Sequence, residues 1–399
     1  MKVAYLSYWG YEEGLTQASV IPHLKILADL EEVESIILFT IERSDYTSDA
    51  DLDKVDHHPI YSRNFTIGLL NKINDFLLFP AEISRKMKSD SADLLICRGA
   101  PAAALGYLVY QRTKIPFVAE SFEPHADYML DAGVWSKNGL KYIFQKRWER
   151  GVINKASHII TVSKHYTEFL RKFFGAESIV FGCAVDLEKF VFYKKDRDDV
   201  RSRLGWVQET IGIYVGKFGD IYYQDEAYRI FKRAFDYFGD SFRLIILTPN
   251  SSIEIIDNCL KLGMDESKLF VTKVAHKDVP SYLSAADFAF SMVRPSAVRK
   301  FCSPIKDGEY WAVGLPILSA KDIGEDSDII LEHNAGALFS SDLENLEEAF
   351  EHIQDIIAFG ERDRIRDVAL VHRNFDKLPT IYQRVLSGKK RYFSWHPIR

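Results

Sequence analysis

Short runs of apolar residues alternate along the chain with longer stretches in which apolar positions recur every three or four residues. Val3-Ala4-Tyr5-Leu6 reads as a buried strand and residues 18–30 as a helix. Ile36-Ile37-Leu38-Phe39 and Leu94-Leu95-Ile96-Cys97 are further strands, followed by a helix over 102–111. Pro116-Phe117-Val118-Ala119 and His158-Ile159-Ile160-Thr161-Val162 are strands on either side of a long helix at 140–155. Continuously apolar strands separated by helices indicate a parallel sheet covered on both faces.

The pattern then restarts. Ile211-Gly212-Ile213-Tyr214-Val215 is a strand, residues 228–238 a helix, and Leu244-Ile245-Ile246-Leu247, Leu269-Phe270-Val271, Phe288-Ala289-Phe290 and Pro316-Ile317-Leu318 are strands. Residues 187–206 are charge-rich and carry no strand signal, which puts the domain junction there. The expected fold is α/β, with two Rossmann-like, doubly wound parallel-sheet domains. Their expected limits are 1–190 and 191–375. Residues 376–399 form a C-terminal helix and tail, for which a return to the first domain is one option.

The composition is that of a globular protein, with 47% hydrophobic and 27% charged residues among 399. A formal net charge of −6 calls for no nucleic-acid partner. Cys97, Cys183, Cys259 and Cys302 form no C-x-x-C pair, so neither a zinc site nor a disulfide framework is indicated, and a cytoplasmic setting is expected. The first residues read as a strand rather than a secretory signal, and no apolar run approaches the roughly 18 residues of a spanning helix. The N-x-[ST] matches at Asn64 and Asn250 then carry little meaning, and the basic, aromatic tail at 389–393 reads as a solvated terminus.

Ligands of open α/β sheets bind past the carboxyl ends of strands, often at helix N-termini. Two segments of the second half fit. After Val215, Gly216 permits close backbone approach and Lys217 offers a charge to phosphate oxygens; a plain turn with a surface lysine is the alternative. In the second segment, Ser303 is a natural N-cap, Pro304 and Ile305 open a helix running to about 313, and Gly314 stops it. Lys306 lies in the first turn, the wrong end for a cation unless it faces an anion. Glu309 follows on the same face, placed either for ribose hydroxyls or for a local ion pair with Lys306.

Ser303-Pro304-Ile305-Lys306-Asp307-Gly308-Glu309-Tyr310-Trp311-Ala312-Val313-Gly314-Leu315-Pro316 resembles the donor-site helix of GT-B glycosyltransferases of the family 4 type, S-P-x-K-x-x-E-Y-x-A-x-G-x-P. Val162-Ser163, Cys183-Ala184-Val185-Asp186-Leu187-Glu188-Lys189-Phe190 and Gly216-Lys217 resemble, in order, further segments of that family. The resemblance implies two domains facing a cleft and retaining, metal-independent transfer from a nucleoside-diphosphate sugar. No cofactor is implied. It further implies a glycan or lipid-linked acceptor in cell-surface polysaccharide or lipopolysaccharide synthesis. It places Lys217 and Lys306 in catalysis and Gly14, Gly216, Lys217, Lys300, Ser303, Pro304, Ile305, Lys306 and Glu309 on the donor. Two positions depart from the pattern. Phe301 stands where many members have a second glutamate, and Gln224-Asp225 where many have Lys-Gly. Arg294, Arg299 and Lys300 could replace the missing positive charge, with a solvated basic loop as the alternative.

In the first half, the turn at 8–14 lacks both G-x-G-x-x-G and G-x-x-x-x-G-K-[ST], which argues against a nicotinamide, a flavin or a P-loop. His125 resembles the family's histidine near the reacting sugar, with a structural role as the alternative, and Glu120 and Glu123 are weaker acceptor candidates. Residues 65–88 are amphipathic and basic. They either rest on a membrane, at the inner face of the plasma membrane, or form a core-packed helix pair. Two other functions share these features: a sugar-nucleotide epimerase and an inactive nucleotide-binding scaffold.

Overall fold

The computed structural model describes residues 1–43, 52–62 and 68–388. The expected features at 65–67 and 389–393, and Asn64, lie outside the described residues. The chain divides into two compact units: residues 1–182 with 375–399, and residues 183–374.

The first unit opens with β1 (Lys2–Ser7), α1 (Gly14–Ser19), α2 (Ile21–Ala28), β2 (Ser35–Glu42), β3 (Val55–Tyr61), α3 (Gly68–Ser89) and β4 (Leu94–Arg98). It continues with α4 (Ala100–Thr113), β5 (Phe117–Phe122), α5 (His125–Asp131), α6 (Leu140–Lys155), β6 (His158–Thr161), α7 (Lys164–Phe174) and β7 (Ile179–Val180). Its seven strands pair in parallel in the order β3-β2-β1-β4-β5-β6-β7.

The second unit contains α8 (Lys194–Leu204), β8 (Thr210–Val215), α9 (Asp225–Phe238), β9 (Phe242–Leu247), α10 (Ser252–Lys261), β10 (Leu269–Thr272), α11 (Val279–Ala285) and β11 (Phe288–Ser291). It ends with α12 (Ile305–Ala312), β12 (Ile317–Ala320), α13 (Asp326–His333), β13 (Gly336–Phe339), α14 (Leu346–Phe359) and α15 (Arg362–His372). Its six parallel strands run β10-β9-β8-β11-β12-β13. The last helix, α16 (Leu378–Leu386), belongs to the first unit and packs on α2.

Several local expectations change. The helix expected over 18–30 is broken at Val20, and α2 restarts with Pro22 in its first turn, where a missing N–H costs no helical bond. Residues 187–206, expected as a junction, carry α8 inside the second unit. Instead of a helix pair, a single 22-residue helix, α3, covers 68–89 with Pro80 inside it. The sequence reading also omits β3, whose residues Val-Asp-His-His-Pro-Ile-Tyr are polar; it is the edge strand of its sheet, where Pro59 is tolerated.

The buried strands rest on aromatic packing in the second unit. A Cβ on Gly212 in β8 would come within 2.7 Å of Phe290, 2.9 Å of Phe242 and 3.1 Å of Phe288, so β8 needs a residue without a side chain there. These rings are fully buried.

Candidate functional site

In the second unit the strand order reverses between β8 and β11. Crossovers leave in opposite directions at such a point and open a crevice beyond the carboxyl ends. The turn after β8 and the N-terminus of α12 both lie at this edge. Tyr310 of α12 ties them together: its hydroxyl accepts the Val215 N–H at 3.0 Å. The loops after β8 and β11 are joined by a bridge between Tyr222 and Val293 and by the Arg294 N–H donating to the Ile221 carbonyl at 2.9 Å.

Gly216 begins the turn, and a Cβ there would lie 2.8 Å from the Tyr214 hydroxyl. Lys217 is 47% exposed and pairs with Asp220, three residues on. Asp220 is itself 55% exposed, so this is a surface pair.

The structure revises the start of α12. Pro304, not Ser303, occupies the N-cap, with φ −63° and ψ 119°, and no side chain caps the helix. The Ser303 hydroxyl instead accepts from the Cys183 N–H at 3.1 Å and from the Arg373 guanidinium. The difference has a physical reason: a charged donor and a backbone amide compete for that one oxygen. The first-turn amides of α12, from Ile305 onward, therefore keep the donor capacity that helix N-termini offer to anions. Gly314 closes the helix in the left-handed region at φ 75°, as expected.

Lys306 and Glu309 meet on one face, with Nζ 2.6 Å from Oε2. The other oxygen, Oε1, lies 3.1 Å from Nε2 of His276, whose Nδ1 is 2.9 Å from the Lys189 ammonium. Glu309 is only 2% exposed. Burial alone would raise its pKa, but Lys306 and then His276 outweigh it, and the carboxyl is held below its usual range. Both oxygens are engaged by the protein, so Glu309 acts first on Lys306 and His276. His276 escaped the sequence reading. Its signal was its place just past β10, at the same strand edge.

Beneath α12 lies a buried group that sequence reasoning also missed. Arg373 donates to Asp326 and Ser303, and its carbonyl accepts the Val185 N–H at 2.8 Å. Asp307 is fully buried beside Asp326. Burial first, and the neighbouring Asp326 charge second, raise its pKa well above the carboxylate range, so Asp307 is neutral and Arg373 balances Asp326. Gly308 is required by this packing, since a Cβ would lie 2.9 Å from Val185 and 3.1 Å from Arg373.

Of the cations expected to replace the positive charge missing at Gln224-Asp225, Lys300 is exposed, with Nζ 5.2 Å from the Phe301 ring centroid, and Arg294 is exposed. Arg299 is buried, which removes it from a surface role. Phe301 is itself buried, so no carboxylate occupies that position.

The remaining candidates lie in the first unit. Gly14 is the first residue of α1, and a Cβ there would meet nothing within 4 Å. His125 is the first residue of α5. Its backbone N–H donates to the Glu123 carbonyl at 2.9 Å, and its ring meets Trp135 edge-on at 5.5 Å. Glu123 is half-buried in the short link between β5 and α5.

Glu120 is a correction. It is 0% exposed and cannot reach an acceptor. Oε1 accepts from the Tyr382 hydroxyl at 2.8 Å and lies 3.1 Å from Nδ1 of His23; Oε2 accepts from Tyr5 and lies 3.6 Å from Arg98. Burial would raise its pKa, but His23, Arg98 and Tyr5 more than offset this and bring it down to about 2. Its work is to bind α16 and α2 to the sheet.

Among the described residues no group of acidic, histidine or cysteine side chains could hold a metal ion, and no helix is long and apolar enough to cross a membrane. The model of Glycosyltransferase Family 4 matches residues 36–189, which hold Val162-Ser163 and all but the last residue of the 183–190 segment, whereas the turn at 216–217 and the run at 303–316 lie beyond them. No curated protein matches the chain. Among solved structures, sucrose-phosphate synthase from Thermosynechococcus elongatus aligns with a TM-score of 0.74 at 16% identity, over 98% of this chain and all of that one. Anabaena HepE in complex with UDP-glucose gives 0.68 at 13% identity, over 97% and 99% of the two chains. WaaG, a glycosyltransferase involved in lipopolysaccharide biosynthesis, gives 0.68 at 14% identity, over 97% and 100%. Two parallel sheets of seven and six strands, these likenesses and the partial family match lead to one statement: the chain has the two-domain GT-B fold and resembles GT-B glycosyltransferases of the family 4 type.

Proposed function

We propose that this chain is a glycosyltransferase that moves a hexose from a nucleoside-diphosphate sugar to a hydroxyl of a glycan or lipid-linked acceptor, with retention of anomeric configuration. The observation that carries the reading is the edge of the second sheet. There the uncapped first turn of α12 and Lys306 share a strand end with Gly216 and Lys217, and Tyr310 fastens one to the other.

Leaving-group departure puts negative charge on the diphosphate while the sugar becomes oxocarbenium-like. Fixed donors aimed at that charge lower the barrier because they need no reorganisation as it develops. Lys306, Lys217 and the α12 amides are such donors. Lys306 and Lys217 are paired with Glu309 and Asp220 and would exchange those partners for the diphosphate oxygens, the basis on which a metal-independent transfer is proposed. Glu309 holds Lys306 and His276 in place, and His125 is the candidate contact to the reacting sugar. WaaG's part in lipopolysaccharide biosynthesis supports the same kind of cell-surface work for this chain, carried out in the cytoplasm.

The test is Lys306→Ala assayed with saturating sugar nucleotide. Losing one such donor commonly lowers turnover by about 10²–10³. Near-normal turnover would remove Lys306 from the mechanism. Incubating the donor alone separates the epimerase, which would change the sugar nucleotide without any acceptor. An anomeric product of inverted configuration, read by NMR, would overturn retention.

A further inference from the structure

The second unit holds a cavity of about 280 Å³ at the edge of its sheet opposite the crevice. Asp287 and Pro316, which line it, immediately precede β11 and β12, so it lies at the amino ends of these strands. The four residues of β11, roughly 13 Å at about 3.3 Å each, separate it from the donor edge.

Arg197 of α8 and Arg362 of α15 both line this cavity, and they meet at one oxygen. The Ala286 carbonyl accepts from Nη1 of Arg197 at 2.9 Å and from Nη2 of Arg362. Two hydrogen bonds to one oxygen keep those nitrogens within about 6 Å of each other, a spacing that a single phosphate group can bridge.

The charges around that oxygen do not balance. Asp287 is shared between two guanidinia, with Oδ1 2.6 Å from Arg197 and Oδ2 2.6 Å from Arg201. Arg362 is half-buried and pairs with no carboxylate among the described residues. Its partners are the Ala286 and Val313 carbonyls and the Phe192 ring, whose centroid is 4.6 Å from Cζ. Carbonyls accept hydrogen bonds without cancelling a charge, and these two leave most of the guanidinium N–H donors unused. The nearby acids are engaged elsewhere: Glu209 with Arg243 at 3.4 Å, and Glu361, an exposed residue of the lining, with Arg364. Burial first, and then repulsion from Arg197, pull the Arg362 pKa down to about 10. A cation withdrawn from water without a counter-charge is costly, and an anion removes that cost.

Much of the remaining lining is apolar: Pro316, Ile356, Ile357 and Ile365. The volume equals about nine waters at roughly 30 Å³ each, more than a bare phosphate fills. We propose that this cavity binds a phosphate monoester, its phosphoryl group bridged by Arg197 and Arg362 and its organic body lying on the isoleucines. The site is separate from the donor edge and does not depend on the transferase reading.

The experiment is isothermal titration calorimetry of the full chain with phenyl phosphate, inorganic phosphate and phenol at constant ionic strength. Phenyl phosphate should bind at least tenfold more tightly than inorganic phosphate, because its ring covers apolar surface, and phenol should give no measurable heat. Arg362→Gln should weaken phenyl phosphate at least tenfold. Glu361→Gln, at an exposed position that leaves the arginines in place, should tighten it about two- to threefold by removing a like charge. Ile357→Trp, which fills the cavity from a half-buried position, should weaken phenyl phosphate more than inorganic phosphate. Lys306→Ala, at the donor edge, should change none of these affinities. Arg362 also holds the ends of α11 and α12, so thermal melts establish that each variant is folded; if Arg362→Gln is not, Glu361→Gln and Ile357→Trp decide. Equal affinities for phenyl and inorganic phosphate would overturn the monoester in favour of free phosphate. Binding that Lys306→Ala abolishes while Glu361→Gln and Ile357→Trp leave it unchanged would place the phosphate at the donor edge and overturn the proposal. So would the absence of binding up to about 10 mM phenyl phosphate.

Discussion

Glu120→Gln isolates what a single buried negative charge contributes to the first unit. The substitution keeps shape and volume but removes the anion that Arg98 faces and puts an NH2 group where one of the oxygens accepted hydrogen bonds. The carboxyl titrates at about 2 against an ordinary value of 4.5. A depressed carboxyl pKa stabilises the fold above its unfolded pKa, and that stabilisation is lost as pH falls through the folded one. The shift corresponds to about 3 kcal/mol, present near pH 7 and lost between roughly pH 5 and pH 2. Leaving Arg98 buried without its anion gives a similar cost, about 3–5 kcal/mol. The assay is urea unfolding read by hydrogen exchange on peptides from β5 and α16, which reports the first unit by itself. The variant should lose about 3 kcal/mol at pH 7, and the gap from the parent should narrow as pH approaches 2. A loss below about 1 kcal/mol, or a gap that does not change with pH, would refute the reasoning.

Four further outcomes are expected. Glu149 is buried, with Oε1 accepting the Ala126 N–H at 2.9 Å, and burial, only partly offset by Lys146, raises its pKa to about 7. A raised carboxyl pKa means stability that is full below about pH 4.5 and falls by roughly 3 kcal/mol up to pH 7, so Glu149→Gln should flatten that slope; an unchanged profile would contradict it. Asp307→Asn should cost under about 1 kcal/mol because Asp307 is already neutral, whereas Asp326→Asn strands Arg373 and should cost about 3–5 kcal/mol; equal costs in thermal melts would reverse the proton assignment. Gly212→Ala should lose about 1–3 kcal/mol to collision with three phenylalanine rings, and a neutral effect would show that β8 can shift. Transfer activity should survive EDTA, and a loss of more than tenfold that magnesium restores would replace the lysine-based account.

The alternation of apolar strands and helices was readable because parallel strands buried on both faces have no polar positions to obscure them. What escaped had no such signature. β3 is polar because it is an edge, and β13, also an edge, offers only Leu338 and Phe339 as large apolar residues. The donor-edge motif was legible as a local run from 303 to 316, since caps and stops act between near neighbours. His276 and Arg373 reach that run from 33 residues before Glu309 and 70 residues after Ser303, and no spacing rule connects such distances. Glu120 was misread for the same reason: a strand-end carboxylate looks the same in sequence whether it faces solvent or, as here, a tyrosine 262 residues away.

The return of α16 to the first unit has a consequence for how the protein is made. The second unit is one continuous stretch, 183–374, threaded into the first. A ribosome finishes residue 182 and then makes about 200 more residues before α16 exists, some 10–40 s at roughly 5–20 residues per second. Through that interval Glu120 and His23 lack the Tyr382 hydroxyl, and the face of α2 that α16 covers stands open. The second unit can therefore fold on the ribosome before the first is complete. A chain ending at residue 377 should hold a folded second unit and a first unit still awaiting its last helix.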